Sequence, residues 1–303
     1  MKKVILLIMT LFCFSLMQAQ DAVDSTKNWK KGGSGSLMVN QLTLTNWAAG
    51  GENSISVNGM FNLFANYKKD RTSWDNTLDI AYGLIKQGET DLRKADDRIE
   101  LTSKYGQYAF KHWYYSGFLS FKTQMNDGFK YPNDSVRISS LFAPAYLTAA
   151  IGMDFKPNDN FSLLISPLTG KTTFVMAQEL ANAGKFGVTP AVLDVGGNII
   201  TPGQTIRFEF GAYVKFIYKK DLGKNINLLT KLDLFTNYLE NPEKVDVNWE
   251  VLMAMKINKY ISVNINTLLI WDQDVLFDIE NSTDKEPRVQ FKELFGVGFS
   301  YKF

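Results

Sequence analysis

Hydrophobic and polar residues alternate along most of the chain, and the alternation is cleanest at its end. Between Pro287 and Phe303, one side collects Val289, Phe291, Phe295, Val297, Phe299, Tyr301 and Phe303, interrupted by Glu293. The other side collects Arg288, Gln290, Lys292, Gly296, Gly298, Ser300 and Lys302, with Leu294 as its exception. Successive side chains of a strand point to opposite faces. The segment is therefore predicted to be a strand between two different media, one face lined with rings and the other small or charged.

The same period recurs upstream. A strand is predicted to begin at Leu37, with its phase unclear around Gln41, and the next carries Ile55, Val57, Phe61, Leu63 and Tyr67 on one face. Alternation then returns over 74–84, 99–107, 115–125, 145–155, 161–175, 206–218, 226–237, 245–256 and 261–271. Pro167 lies inside one of these runs. It cannot donate to a ladder, so a bulge is expected there. Connections after the second, fourth, sixth, eighth and tenth runs are short, and several of the others are long. Short turns on one side and long loops on the other are the asymmetry of a membrane barrel. The predicted fold class is all-β: a transmembrane antiparallel β-barrel of about twelve strands, with short periplasmic turns and longer outer loops.

The beginning of the chain fits that route. Lys2 and Lys3 precede an apolar run from Val4 to Met17, and Ala19 offers a small residue for cleavage. Residues 1–19 are read as a secretory signal peptide, 20–36 as a periplasmic tail and 37–303 as the barrel. The apolar run is shorter than the roughly 20 residues a spanning helix needs. Cys13, preceded by Phe12 and followed by more apolar residues, does not read as a lipidation site. It is the chain's only cysteine, so the processed protein has no disulfide and no thiol nucleophile. The chain holds 33 basic and 31 acidic residues, and loss of Lys2 and Lys3 brings the basic count to 31 as well. That balance speaks against nucleic acid as a partner. No later apolar stretch is long enough for a membrane helix. A processed chain that spans lipid would therefore do so as a closed barrel.

Two resemblances follow. A strand ending on an aromatic residue such as Phe303 resembles the last strand of bacterial outer-membrane barrels. In that class the final residue belongs to the signal read by the barrel-assembly machinery. Asn40-Gln41, followed by Asn46-Trp47-Ala48-Ala49-Gly50-Gly51-Glu52-Asn53-Ser54, resembles a family of uncharacterised outer-membrane proteins. That family is typical of Bacteroidetes-type bacteria and is grouped as domain of unknown function 3078. The resemblance implies the cell outer membrane as location and a barrel as fold. It implies no activity and transfers no functional residue. Trp47 beside Gly50-Gly51 also fits an interface aromatic next to a tight outer turn.

Candidate chemistry is sparse. His112 is the only histidine, placed in a predicted periplasmic turn, where it is remote from the outer-rim position a barrel hydrolase would use. No enzyme activity and no cofactor are expected. One histidine and no processed cysteine leave only carboxylates for a metal, at most calcium in the loops. The lumen-facing charges are the more informative set: Arg207, Glu209, Lys231, Asp233, Asp246, Glu250, Asp272, Arg288 and Lys292, with Lys256 toward the inner end. They suit either a path or binding site for a small polar solute, or mutual pairing that packs a narrow lumen. The leading expectation is a narrow channel or binding barrel. The alternative is a closed structural or accessory barrel acting through outer loops and protein partners. Outer-membrane lipid and the assembly machinery are the expected partners, and no other protein partner can be named.

Overall fold

The computed structural model describes residues 28–44, 52–131, 134–278 and 285–303. The predicted signal peptide and the Asn46–Gly51 motif lie outside the described residues. Twelve strands close into one antiparallel barrel. They are β1 (Trp29–Leu42), β2 (Ser54–Lys69), β3 (Thr72–Gln87), β4 (Arg93–Phe110), β5 (Trp113–Thr123) and β6 (Ala145–Asn158). The ring continues through β7 (Phe161–Phe174), β8 (Ile206–Asp221), β9 (Ile226–Asn237), β10 (Asp246–Lys256), β11 (Ile261–Trp271) and β12 (Gln290–Lys302). Each strand pairs with its sequence neighbours, and β1 pairs with β12 to close the ring.

The turns at the end that carries the termini run from two to four residues, whereas the connections at the other end run from five to thirty-one. Loop 175–205 is the longest. It contains a short helix at Gln178–Asn182, and Val175, Leu180, Ala181 and Val188 form a small core with Ala143. Its tip is a two-stranded hairpin, Val192–Leu193 against Ile199–Thr201.

The first strand begins at Trp29, inside the stretch expected to be a tail. Gly32-Gly33-Ser34-Gly35-Ser36 hides the alternation, because three of its five positions have no side chain to show it. The glycines have a packing reason. A Cβ on Gly33 would lie 2.6 Å from the Asn62 carbonyl oxygen and 2.7 Å from the Phe303 ring. Gly33 and Phe303 also exchange backbone hydrogen bonds, N–H to carbonyl at 2.9 and 3.1 Å. The chain's two ends meet there, and close approach at the seam requires small residues. The bulge expected at Pro167 is present: the β6–β7 register shifts between Ile151 and Met153, and the β7–β8 register between Gly211 and Tyr213.

Facing follows the period of two. Leu37, Val39, Phe208, Trp249, Phe291, Phe295 and Phe299 stand exposed on the outside. Glu209, Lys215, Glu250, Asn264 and Asn266 are buried inside. Phe118, Ala150, Leu164, Tyr213 and Phe235 form an apolar plate on the inner wall of β5–β9. Two outward indoles are paired: Trp74 Nε1 donates to Ser103 Oγ at 2.8 Å and Trp249 Nε1 to Thr230 Oγ1 at 2.9 Å. With no water in hydrocarbon, only a closed ladder satisfies every strand's backbone. A closed antiparallel barrel with an apolar, aromatic outside and a charged inside is an outer-membrane barrel, and its outer wall meets lipid. The start of β1 and the end of β12 then lie at the periplasmic end.

Candidate functional site: the charged lumen

Inward positions of β3, β4, β9 and β10 carry Asp79, Arg98, Lys231 and Glu250. Arg98 Nη2 donates to Glu250 Oε1 at 3.0 Å, and Lys231 Nζ donates to Asp79 Oδ2 at 3.1 Å. β4 and β10 are six strands apart in a ring of twelve, as are β3 and β9. Both pairs therefore cross the full width of the lumen. They are linked, because Lys231 Nζ also lies 3.9 Å from Glu250 Oε2. Asn266 donates to Glu250 at 2.9 Å and Asn62 to Asp79 at 2.6 Å. The result is one network bolted across the waist. Each carboxylate receives both a cation and an amide, which is what confined charges need to be stable.

Further pairs lie on either side of the waist. Toward the outer end, Lys171 meets Asp246 at 2.9 Å and Glu209 at 3.5 Å, and Arg207 meets Asp274 at 2.5 Å and Glu240 at 3.2 Å. Lys292 on β12 reaches Asp96 on β4 at 2.7 Å. Below the waist, Lys104 donates to Asp154 at 2.6 Å and to Ser162 at 2.5 Å, and Lys156 donates to Asp75 at 2.6 Å. Asp233 accepts from Tyr213 at 2.6 Å and Lys215 at 2.8 Å. Lys215 also lies 5.5 Å from the centre of the Phe118 ring, and Lys171 lies 4.8 Å from that of Phe235. The apolar plate thus faces cations that are already paired.

The wall formed by β1, β2, β11 and β12 differs. It presents Met38, Asn40, Asn58, Asn264 and Gly296, all uncharged, and Met38 is fully buried. Asn264 Nδ2 contacts Met38 Sδ at 3.5 Å and donates to Ser262 at 3.4 Å. This wall is packed rather than open.

Of the residues singled out by sequence, Arg207, Glu209, Lys231, Asp233, Asp246, Glu250 and Lys292 belong to these pairs. Asp272 lies just past β11 and caps the turn by accepting from the Asp274 backbone N–H at 2.8 Å. Arg288 does not face the lumen. It is half exposed beyond the outer end of β12 and donates to Glu286 at 2.9 Å. β12 starts at Gln290, so the alternation assumed from Pro287 has no ladder under it at Arg288. Lys256 is exposed at the inner end of β10. The opposite half of the network, Asp75, Asp79, Arg98, Lys104, Asp154 and Lys171, is not among the residues singled out by sequence. Its signal was present as charges at alternate positions of β3, β4, β6 and β7.

Glu209, Asp246 and Asp274 bring carboxylate oxygens within 4.8 Å of one another. Lys171 and Arg207 already serve these carboxylates and offset two of their three negative charges. His112 occupies the β4–β5 turn with φ of 71° and packs edge-on to Phe155 at 6.4 Å. It has no nucleophile beside it among the described residues.

The model of a family described as protein of unknown function (DUF3078) matches residues 39–129, from β1 to just past β5. No curated protein matches the chain. Among solved structures, the translocator domain of the autotransporter NalP from Neisseria meningitidis is similar at 9% identity and a TM-score of 0.38, over 99% of this chain and 96% of that one. The NanC porin is similar at 8% identity and 0.37, over 88% and 98%. An outer-membrane channel from Pseudomonas putida F1 is similar at 9% identity and 0.38, over 93% and 99%.

Proposed function

We propose that the protein is a closed outer-membrane barrel of structural or accessory role, working through its outer loops rather than as a solute path. The observation that carries this reading is the pair of full-width bridges, Arg98–Glu250 and Lys231–Asp79, joined at 3.9 Å. A conducting lumen needs groups that solute can displace at small cost. Here a passing ion would have to break two linked pairs at once, in a site where all four side chains are at most 21% exposed. The leading sequence expectation, a narrow channel for small polar solutes, is therefore less well supported than the closed alternative. The same geometry favours pairing over solute binding for the charges of the lumen.

Activity in this reading resides at the outer end, where loop 175–205 holds its own small core and offers a surface to partners. On assembly, the strand ending at Phe303 is taken to carry the recognition signal for the assembly machinery, a reading supported by its exposed ring face. The test is liposome swelling with small neutral and charged solutes. Vesicles containing the refolded protein should swell no faster than empty ones. Swelling that scales with protein and falls with solute size would overturn the closed reading.

A further inference from the structure

The near-neutral total charge hides a strong local one. At the periplasmic end, the β2–β3 turn is flanked by Lys68, Lys69 and Arg71, and the β8–β9 turn by Lys219, Lys220 and Lys224. One or more lysines also mark the β4–β5 turn, the β10–β11 turn and the ends of β1 and β12. Among the described residues this makes twelve exposed cations against three exposed aspartates, Asp70, Asp159 and Asp221, so the side chains of the rim carry 12 − 3 = 9 net positive charges. The outer end differs in balance: its exposed cations, Lys86, Lys130, Lys185, Lys244 and Arg288, stand among ten exposed carboxylates of the described residues, Glu52, Glu89, Asp91, Asp127, Asp134, Glu179, Asp194, Glu240, Glu243 and Glu286. No ion pair holds the rim cations among the described residues.

Direction and distribution identify what would meet them. The period of two turns Lys69 and Lys220 to the outside of the wall, each two residues beyond an outward aromatic, Tyr67 and Tyr218; Lys31 also faces outward, two residues above Trp29 on the strand that climbs from the rim. Lys31 Nζ sits 5.9 Å from the Trp29 ring centre, and Lys259 Nζ sits 5.2 Å from that of Tyr260. Trp29 in turn packs against Tyr67 at 5.2 Å and Trp74 at 5.8 Å. Aromatic rings favour the headgroup level, and lysines just beyond them reach into it with their apolar stems along the wall. The charge is also spread around five of the six ends of the barrel rather than gathered on one side. A protein partner would select a patch, whereas the surrounding leaflet meets the whole circumference. We infer that this rim binds the phosphates of anionic phospholipids in the periplasmic leaflet, fixing the barrel's depth and collecting those lipids around it.

The experiment reconstitutes the full chain in vesicles of equal phosphatidylglycerol and phosphatidylcholine. Protein with its bound lipid is then excised in a polymer disc and the lipid ratio measured. One lysine near an anionic surface is worth roughly a fivefold preference. The parent should be enriched in phosphatidylglycerol above the bulk ratio. The fourfold variant Lys31→Gln, Lys69→Gln, Lys220→Gln, Lys259→Gln, which keeps eight of the twelve rim cations, should lose a large part of the enrichment. A matched outer-loop variant, Lys86→Gln, Lys130→Gln, Lys185→Gln, Lys244→Gln, should keep the enrichment. Gel heat-modifiability checks folding of each. If the rim variant does not fold, the parent in about 1 M salt serves instead, where screening over roughly 3 Å should abolish the enrichment. No enrichment in the parent, enrichment undiminished in the folded rim variant or surviving in salt, or equal loss in both variants would overturn the inference.

Discussion

Removing Glu250 is the sharpest perturbation of the waist. Its carboxylate accepts from Arg98 at 3.0 Å and Asn266 at 2.9 Å, and faces Lys231 at 3.9 Å. At an effective dielectric of about 20, unit charges at these two cation distances attract by roughly 5.5 and 4 kcal/mol before desolvation is subtracted. The net loss is smaller, because desolvation has already offset much of the attraction. Taking one partner from a buried pair costs on the order of 3–5 kcal/mol, mainly by stranding the other charge. Lys231 keeps Asp79 and the group is 11% exposed, so the lower end, about 3 kcal/mol, is expected for Glu250→Ala. Arg98→Ala should cost less, since Lys231 still faces Glu250. The double variant should cost clearly less than the sum, with a coupling of about 1–3 kcal/mol. Urea unfolding of the barrel in lipid vesicles, followed by tryptophan fluorescence, measures all three. Strict additivity of the two single changes would mean that Arg98 and Glu250 do not meet across the lumen, and the bolted waist would be wrong.

Other expectations follow from the faces and seams. Val251→Arg and Val263→Arg place a cation on the lipid face and should each cost about 2–4 kcal/mol near the midplane, read by the same unfolding. Asn264→Arg should be no milder, because Asn264 is 6% exposed against Met38, although its inward position alone suggests tolerance. Gly33→Leu should slow folding into vesicles and weaken the β1–β12 seam by at least 1–3 kcal/mol, since even a Cβ would sit 2.7 Å from the Phe303 ring. In the loop hairpin, hydrogen bonds from the Asn198 side chain and backbone hold the Asp194 carboxyl below its usual range. A depressed carboxyl contributes order above the unfolded value of about 3.9 and loses it as pH falls through the folded value. Protection of the Asn198 amide, taken as its exchange rate relative to the Asp194→Asn variant, should therefore weaken below about pH 4, and a pH-independent rate ratio would contradict this.

The barrel was legible because its period of two is strict wherever one face meets lipid. Strands such as Ile206–Asp221 and Ile261–Trp271 carry that period nearly without error. Trp29–Leu42 was only partly legible, because glycines chosen for the seam erase the pattern there. The lumen was half legible. Alternation shows that Glu250 and Lys231 point inward, but not that Arg98 and Asp79 wait on the opposite wall. That pairing depends on closure, which sets strands six apart face to face, and no local pattern encodes it. The plate of Phe118, Tyr213 and Phe235 escaped for a related reason. Aromatic residues on the polar face read as exceptions until five adjacent strands bring them together. Arg288 failed at an element boundary, where alternation outlasts the ladder.

Planar-bilayer recording of the purified parent protein tests the closed waist most directly. Insertion confirmed by heat-modifiability, with no current steps across a salt gradient, is the predicted result; Glu250→Ala and Lys231→Ala should then show intermittent openings. Steady conductance in the parent, with a reversal potential that the Glu250 change shifts, would contradict the closed waist and restore the lumen as a path.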